Sequence, residues 1–128
     1  MTNITLLVAR VLLALLFIVA GLGKLGDVAG FAGYMASGGV PAFLAWPVIA
    51  LEVLGGLAIL VGFQIRIAAI ALAAFSILSA LLYHFVPADQ MQMTMFMKNL
   101  GLGGGFLLLT VTGAGAWSLD ALMGRRAA

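Results

Sequence analysis

Four runs of about twenty apolar residues, at 4–25, 41–62, 65–86 and 95–114, leave this chain of 128 residues little choice of fold. Each run is long enough to cross a bilayer once as a helix, the structure that satisfies all of its own backbone polar groups inside lipid. A soluble bundle would need a polar outer face on every helix. With 65% hydrophobic and 8% charged residues, there is too little polar surface to make those faces. The expected fold class is all-α: a four-helix transmembrane bundle embedded in lipid, folded as a single membrane domain over residues 1–128.

The breaks between the runs carry turn chemistry. "GDVAGFAGYMASGGVP" separates the first two spans, Gly62 ends the second, and "VPADQ" follows the third. The first connection is too polar to cross, but Asp27 can cap a short helix on which Val28, Phe31, Tyr34 and Met35 share a face. A short interfacial helix is therefore expected between spans one and two, as a lid over a site or as a connector lying on lipid. The third connection continues into "MQMTMFM". Its alternating Met91, Met93, Met95 and Met97 could bind Cu(I), but such methionines more often fill space, and no metal is expected.

Six Lys and Arg residues are scattered singly except for Arg125-Arg126, so no basic patch for nucleic acid exists. The absence of cysteine excludes disulfides, thiol exchange and thiolate metal sites. The N-terminal run lacks a basic leader and contains Arg10, so it reads as a retained helix rather than a signal peptide. Four spans put both termini on one side. The bias of Arg10, Arg66, Arg125 and Arg126 against Lys24 and Lys98 assigns that side to the cytoplasm. Trp46, Tyr34 and Tyr83 then fall at the outer interface and Trp117 at the inner one.

Charges inside lipid are costly, so each needs a partner or a polar cavity. Helical spacing puts Arg10, Ala14, Phe17, Gly21 and Lys24 on one face of span one, and Glu52 with Gly55, Gly56, Ile59 and Gly62 on one face of span two. Span three carries Arg66, Ala73, Ser76, Ala80 and Tyr83 or His84. Span four carries Lys98 with Gly101, Leu102 and Gly105, next to Asn99. Small residues on these stripes let backbones approach, so the stripes are expected to face inward. Glu52 is the one acid deep within a span. Counting rise per residue from the span ends puts Arg10 within reach of it, so a Glu52–Arg10 pair is expected at the chemical centre. Lys24, Lys98, Asn99 and His84 converge toward the outer end, where they form a pocket for an anionic or carbonyl-bearing ligand or, for the two lysines, snorkel to headgroups. Arg66 and Asp120 are expected to form a structural ion pair at the inner end.

Taken in order, the early arginine of span one, "GLGKL", "ALEVLGGLAILVG", "RIAAIAL", "MKNLGLGGGFLLL" and "SLD" resemble the DoxX family of bacterial membrane proteins across nearly the whole chain. The resemblance implies a four-helix bundle in the bacterial cytoplasmic (inner) membrane, with relatives that include the DoxD-type subunit of thiosulfate:quinone oxidoreductase. The family's recurrent polar positions correspond here to Arg10, Lys24, Glu52, Arg66, Lys98, Asn99 and Asp120. The function expected from residues and resemblance together is a membrane subunit of a quinone-linked oxidoreductase. Quinone is its cofactor, Glu52 and Arg10 are catalytic, and Lys24, Lys98, Asn99 and His84 bind substrate. A partner oxidoreductase subunit or soluble redox enzyme has to deliver electrons, and a homo-oligomer is compatible with the chain. Two alternatives remain open at this stage: a scaffold whose charges are internal pairs, and a path for protons or small molecules.

Overall fold

The computed structural model describes residues 1–124, and Arg125 and Arg126 lie outside the described residues. Helix α1 (Thr2–Lys24) is followed by the short helix α2 (Val28–Ser37), a single 3-10 turn (Ala42–Leu44), and helices α3 (Ala45–Val61), α4 (Ile65–Ser79), α5 (Gln90–Thr112) and α6 (Leu119–Leu122). A π-helical turn, Ala80–His84, extends α4. Counting these extensions, four stretches among the described residues are long and apolar enough to cross a membrane: Thr2–Lys24, Ala42–Val61, Ile65–His84 and Gln90–Thr112.

Most element ends have a local cause. Asp27 caps α2 by accepting from Gly30 N at 2.9 Å. Asp89 caps α5 by accepting from Met91 N and Gln92 N. That cap starts the fourth span at Gln90 rather than near residue 95, so "MQMTMFM" belongs to the helix and not to the connection. Its methionines are distributed around the helix, with Met91 and Met97 exposed on the outside. Helix α3 stops at Gly62, whose φ of 72° is the left-handed conformation glycine adopts without strain. Phe63 N then bonds back to Ala58 O at 2.8 Å.

Helix α1 packs along α3, α4 packs along α5, and α3 against α4 joins the two pairs, while α1 meets α5 through side chains such as Phe17 and Phe106 with few close backbone approaches. The core is Ala14 and Phe17 of α1, Ile59 of α3, Leu72 and Ala73 of α4, and Phe106 and Leu109 of α5. Phe17 makes edge-to-face contacts with Phe106 at 5.4 Å and Phe75 at 6.2 Å between ring centres. Leu12, Val19, Leu54, Ile67, Leu108 and Val111 are exposed, an outer face suited to lipid.

The inward stripe of α1 is as its spacing predicts: Arg10, Ala14, Phe17 and Gly21 are buried. The α4 stripe holds at Ala73, Ser76 and Ala80, which are buried, but not at Arg66, and the α5 stripe is rotated from expectation. On α4 the buried residues are Ile65, Ala68, Ala69, Leu72, Ala73 and Ser76, with Arg66 exposed. On α5 they are Asn99, Gly103, Phe106 and Leu109, with Gly101 exposed. Phe106, whose fully buried ring meets Phe17, sets the rotation of α5, because burying that ring outweighs burying a glycine edge.

A polar clamp and a lidded cavity at opposite ends

Arg10 and Lys24 stand fourteen residues apart on α1, about 21 Å along the axis, and each organises one end of the bundle. At the end carrying both termini, the Arg10 guanidinium donates to Ala114 O at 2.6 Å, Trp117 O at 2.9 Å and Leu60 O at 3.2 Å. Leu60 belongs to the last turn of α3, where carbonyls lack helical partners and the helix dipole favours a cation. Ala114 and Trp117 lie in the irregular segment after α5, whose carbonyls also need donors. Arg10 is 1% exposed. Ala116 N donates to Asn3 Oδ1 at 3.2 Å, which ties the same segment to the start of α1.

Asp120 works beside this clamp. Its carboxylate accepts from Gln64 N at 2.8 Å and Ile65 N at 3.0 Å, and its own N donates to Gly62 O at 2.9 Å. Helix α4 thus begins without a cap of its own, and a carboxylate from another part of the chain supplies one. The expected Arg66–Asp120 ion pair does not form. Free amides and the positive end of α4 are the nearer partners for the acid, while Arg66 points outward.

Glu52 is at the other end of the bundle, and the expected Glu52–Arg10 pair is replaced by Glu52–Lys24. Nζ of Lys24 stands 2.8 Å from Oε1 and donates to Oε2 at 3.1 Å. Its alignment favours Oε2, so Oε1 is held by charge without a hydrogen-bond donor. The register of α1 against α3 explains the exchange. Gly21 lies against Glu52 and Val53 so closely that an added Cβ would stand 3.1 Å from Glu52 Cβ and 2.6 Å from Val53 Cγ2. Glu52 is therefore level with Gly21, eleven residues or about 16 Å from Arg10. Counting depth from the span ends assumed that both helices are centred alike, whereas their contact is offset.

The Lys24–Glu52 pair forms part of the wall of a partly open cavity of about 480 Å³ lined by residues of α1 to α5. Lys98, Asn99 and His84 line the same cavity, so four of the expected binding residues and Glu52 share one space. The rest of the wall is largely apolar and aromatic, with Phe17, Phe75, Leu102 and Met95 among its residues. Asn99 donates to Ser79 Oγ at 2.9 Å, leaving its second N–H and its carbonyl for other partners. His84 sits on the π-turn, with Nδ1 2.8 Å from Gln92 Oε1. A donor on Nδ1 makes Nε2 the acceptor in the neutral ring.

Helix α2 covers this cavity, contributing Phe31, Tyr34 and Met35 to its lining. It is held by Tyr83, whose ring stacks on Tyr34 at 5.0 Å and whose hydroxyl donates to Met35 O at 2.7 Å. Lys24 Nζ also lies 5.1 Å from the Phe31 ring centre, so one ammonium touches both lid and carboxylate. Sequence reasoning placed Tyr34 and Tyr83 at the interface but not against each other, and it missed Ser79 and Gln92. The i, i+3 spacing of Ser76 and Ser79 at the polar end of span three was the available signal for the former.

Between cavity and clamp lies a dry layer formed by Ala14, Phe17, Leu72, Ala73 and Phe106, each at most 4% exposed. The two polar clusters are thus separate sites with different neighbours.

The fold and site define a small four-span integral membrane protein with a ligand-sized, lidded cavity at one end and a polar clamp at the other. The sequence model of the DoxX family matches residues 5–85, and the chain belongs to that family. It is 48% identical over 124 residues to inner membrane protein YqjF of Escherichia coli (strain K12), covering 97% of this chain and 95% of that protein. It is 36% identical over 124 residues to inner membrane protein YphA of the same organism, covering 91% and 89%. No solved structure matches the chain.

Proposed function

We propose that this chain is the ligand-binding membrane subunit of a quinone-linked oxidoreductase system, and that the cavity under α2 takes the quinone head. One observation carries the reading: a largely apolar space of about 480 Å³ has its acid, amines and amide gathered in its wall. Ligand cavities of small molecules have this size and this mixture of apolar wall with few convergent polar groups. The donor set fits a ring bearing two carbonyls. Lys98 and the free N–H of Asn99 can each donate to an oxygen, and Glu52 can hold a proton beside Lys24. A bound quinone would supply two-electron, two-proton chemistry. The residues' part is to orient its oxygens, to keep water out through Phe17 and Phe75, and to store a proton at the Glu52 carboxyl. The chain has no cysteine to pass electrons as a thiol pair, so a partner subunit or soluble enzyme has to deliver them. The dry layer at Phe17 and Phe106 argues for binding over permeation. The termini-bearing end is read as cytoplasmic on the bias of Arg10, Arg66, Arg125 and Arg126 against Lys24 and Lys98.

The competing reading is a scaffold in which Lys24–Glu52 is an internal pair that sets the α1–α3 register, favoured by its position beside Gly21. A solvent extract of protein purified in mild detergent separates the two. Its ultraviolet redox-difference spectrum should show quinone, and quinone analogues should raise the thermal unfolding temperature. Absence of both leaves the scaffold.

A further inference from the structure

The four acids of this chain can be followed one by one, and none is at the disposal of Lys98. Asp27 caps α2, Asp89 caps α5, Asp120 caps α4 at the far end, and Glu52 is ion-paired with Lys24. Among the described residues Lys98 makes no ion pair, although its side chain lines the cavity. The early start of α5 also matters. With the helix beginning at Gln90, Lys98 stands about 12 Å along it, not at its mouth. The cavity wall therefore holds two ammonium groups and one carboxylate, with one positive charge left uncompensated. That charge is on Lys98, whose side chain lines the cavity but is itself exposed, so it stays solvated in the empty site and is free to meet an anion that enters.

From this count we infer that the cavity is built for a lipophilic monoanion, whose single negative charge sits on Lys98 and whose apolar body fills the space under α2. This deepens the ligand-site reading and rests on it, but it selects among ligands by charge. An ionised ring hydroxyl, a carboxylate or a singly charged lipid phosphate supplies the same chemistry. Asn99, next to Lys98 on α5, has the spare N–H to share the anionic oxygen.

Two probes of nearly equal shape separate charge from shape: 2-hydroxy-1,4-naphthoquinone, an anion at neutral pH, and uncharged 1,4-naphthoquinone. Each is titrated calorimetrically into the full chain in phosphatidylcholine nanodiscs, and again with phosphatidylglycerol added. The anion should bind tighter by about tenfold or more, as one charge-assisted hydrogen bond implies. Lys98→Met should erase that preference, and Lys98→Arg should keep most of it. Because Lys98 is exposed and unpaired, both variants should keep the parent's unfolding temperature. Loss of anion binding in phosphatidylglycerol discs identifies a lipid headgroup as the occupant, and unchanged binding identifies a free ligand. Equal affinity for the two probes, or a preference that survives Lys98→Met, overturns the inference while leaving the quinone reading intact. Binding of neither probe overturns both.

Discussion

Lys24, not Arg10, is the partner of Glu52: its amine lies 2.8 Å from one carboxylate oxygen, one turn of α1 beyond the tight approach of Gly21 to α3. Removing one member leaves the other charged and poorly solvated, which is more costly than removing both. Lys24→Met and Glu52→Gln should each lower stability, and the double variant should recover part of the loss. A coupling energy of roughly 1–3 kcal/mol in a double-mutant cycle, read by thermal unfolding in nanodiscs, is the expected outcome. Additive single losses would show that the pair contributes nothing as a pair.

Arg10 should behave as architecture. Arg10→Ala removes three hydrogen bonds to carbonyls of α3 and the segment after α5, an expected loss of about 3 kcal/mol or more for a buried charged donor. Arg10→Lys should rescue little, because one ammonium cannot reproduce the planar fork. Limited proteolysis gives a local readout: cleavage near residues 113–118 should accelerate in Arg10→Ala before the rest of the chain is attacked. An intact segment in that variant would refute the clamp.

The role of Asp120 is separable from Arg66. Asp120→Ala exposes the amides of Gln64 and Ile65 and should cost about 1–2 kcal/mol, the value of a helix cap. Arg66→Ala should change stability by less than about 0.5 kcal/mol, as an exposed side chain without an ion pair among the described residues. A large loss in Arg66→Ala, coupled to that of Asp120→Ala, would restore the ion pair that the geometry does not show.

Packing at Gly21 should be intolerant of size. A leucine there meets Val53 and the backbone of α3, and overpacking of this kind costs about 1–3 kcal/mol. The same change should loosen the Lys24–Glu52 pair, since the glycine contact sets its register. Hydrogen exchange along α3 around Glu52 should rise in Gly21→Leu, while exchange around Leu60 and Gly62 stays near the parent's.

Tyr83→Phe keeps the ring stacked on Tyr34 but removes the bond to Met35 O. One lost hydrogen bond is worth about 1 kcal/mol, so amides of α2 should exchange several-fold faster with no change in α5. Equal protection in both proteins would mean that the hydroxyl does not hold the lid.

The four spans, the interfacial helix, the inward stripe of α1 and the outer set Lys24, His84, Lys98 and Asn99 were all readable from the order of residues. They follow from local rules: the run of apolar residues a bilayer demands, the cap Asp27 offers, and the spacing of three and four that repeats along one helix face. The partners of the charges were not readable, because a partner depends on how far one helix slides along its neighbour. Gly21 meeting Val53 sets that offset, and it moves Glu52 from Arg10 to Lys24. Phe106 seating against Phe17 likewise turns α5 so that Asn99 faces in. One clue to the remote cap was present in the sequence: Gln64 is a poor cap, so α4 needed an acceptor from elsewhere. Which acid would supply it depended on where the segment after α5 folds back, and Arg10 settles that by gathering carbonyls from two places in the chain. Periodicity along a helix is a property of neighbours in sequence, while ion pairs between helices depend on a register that only close packing selects.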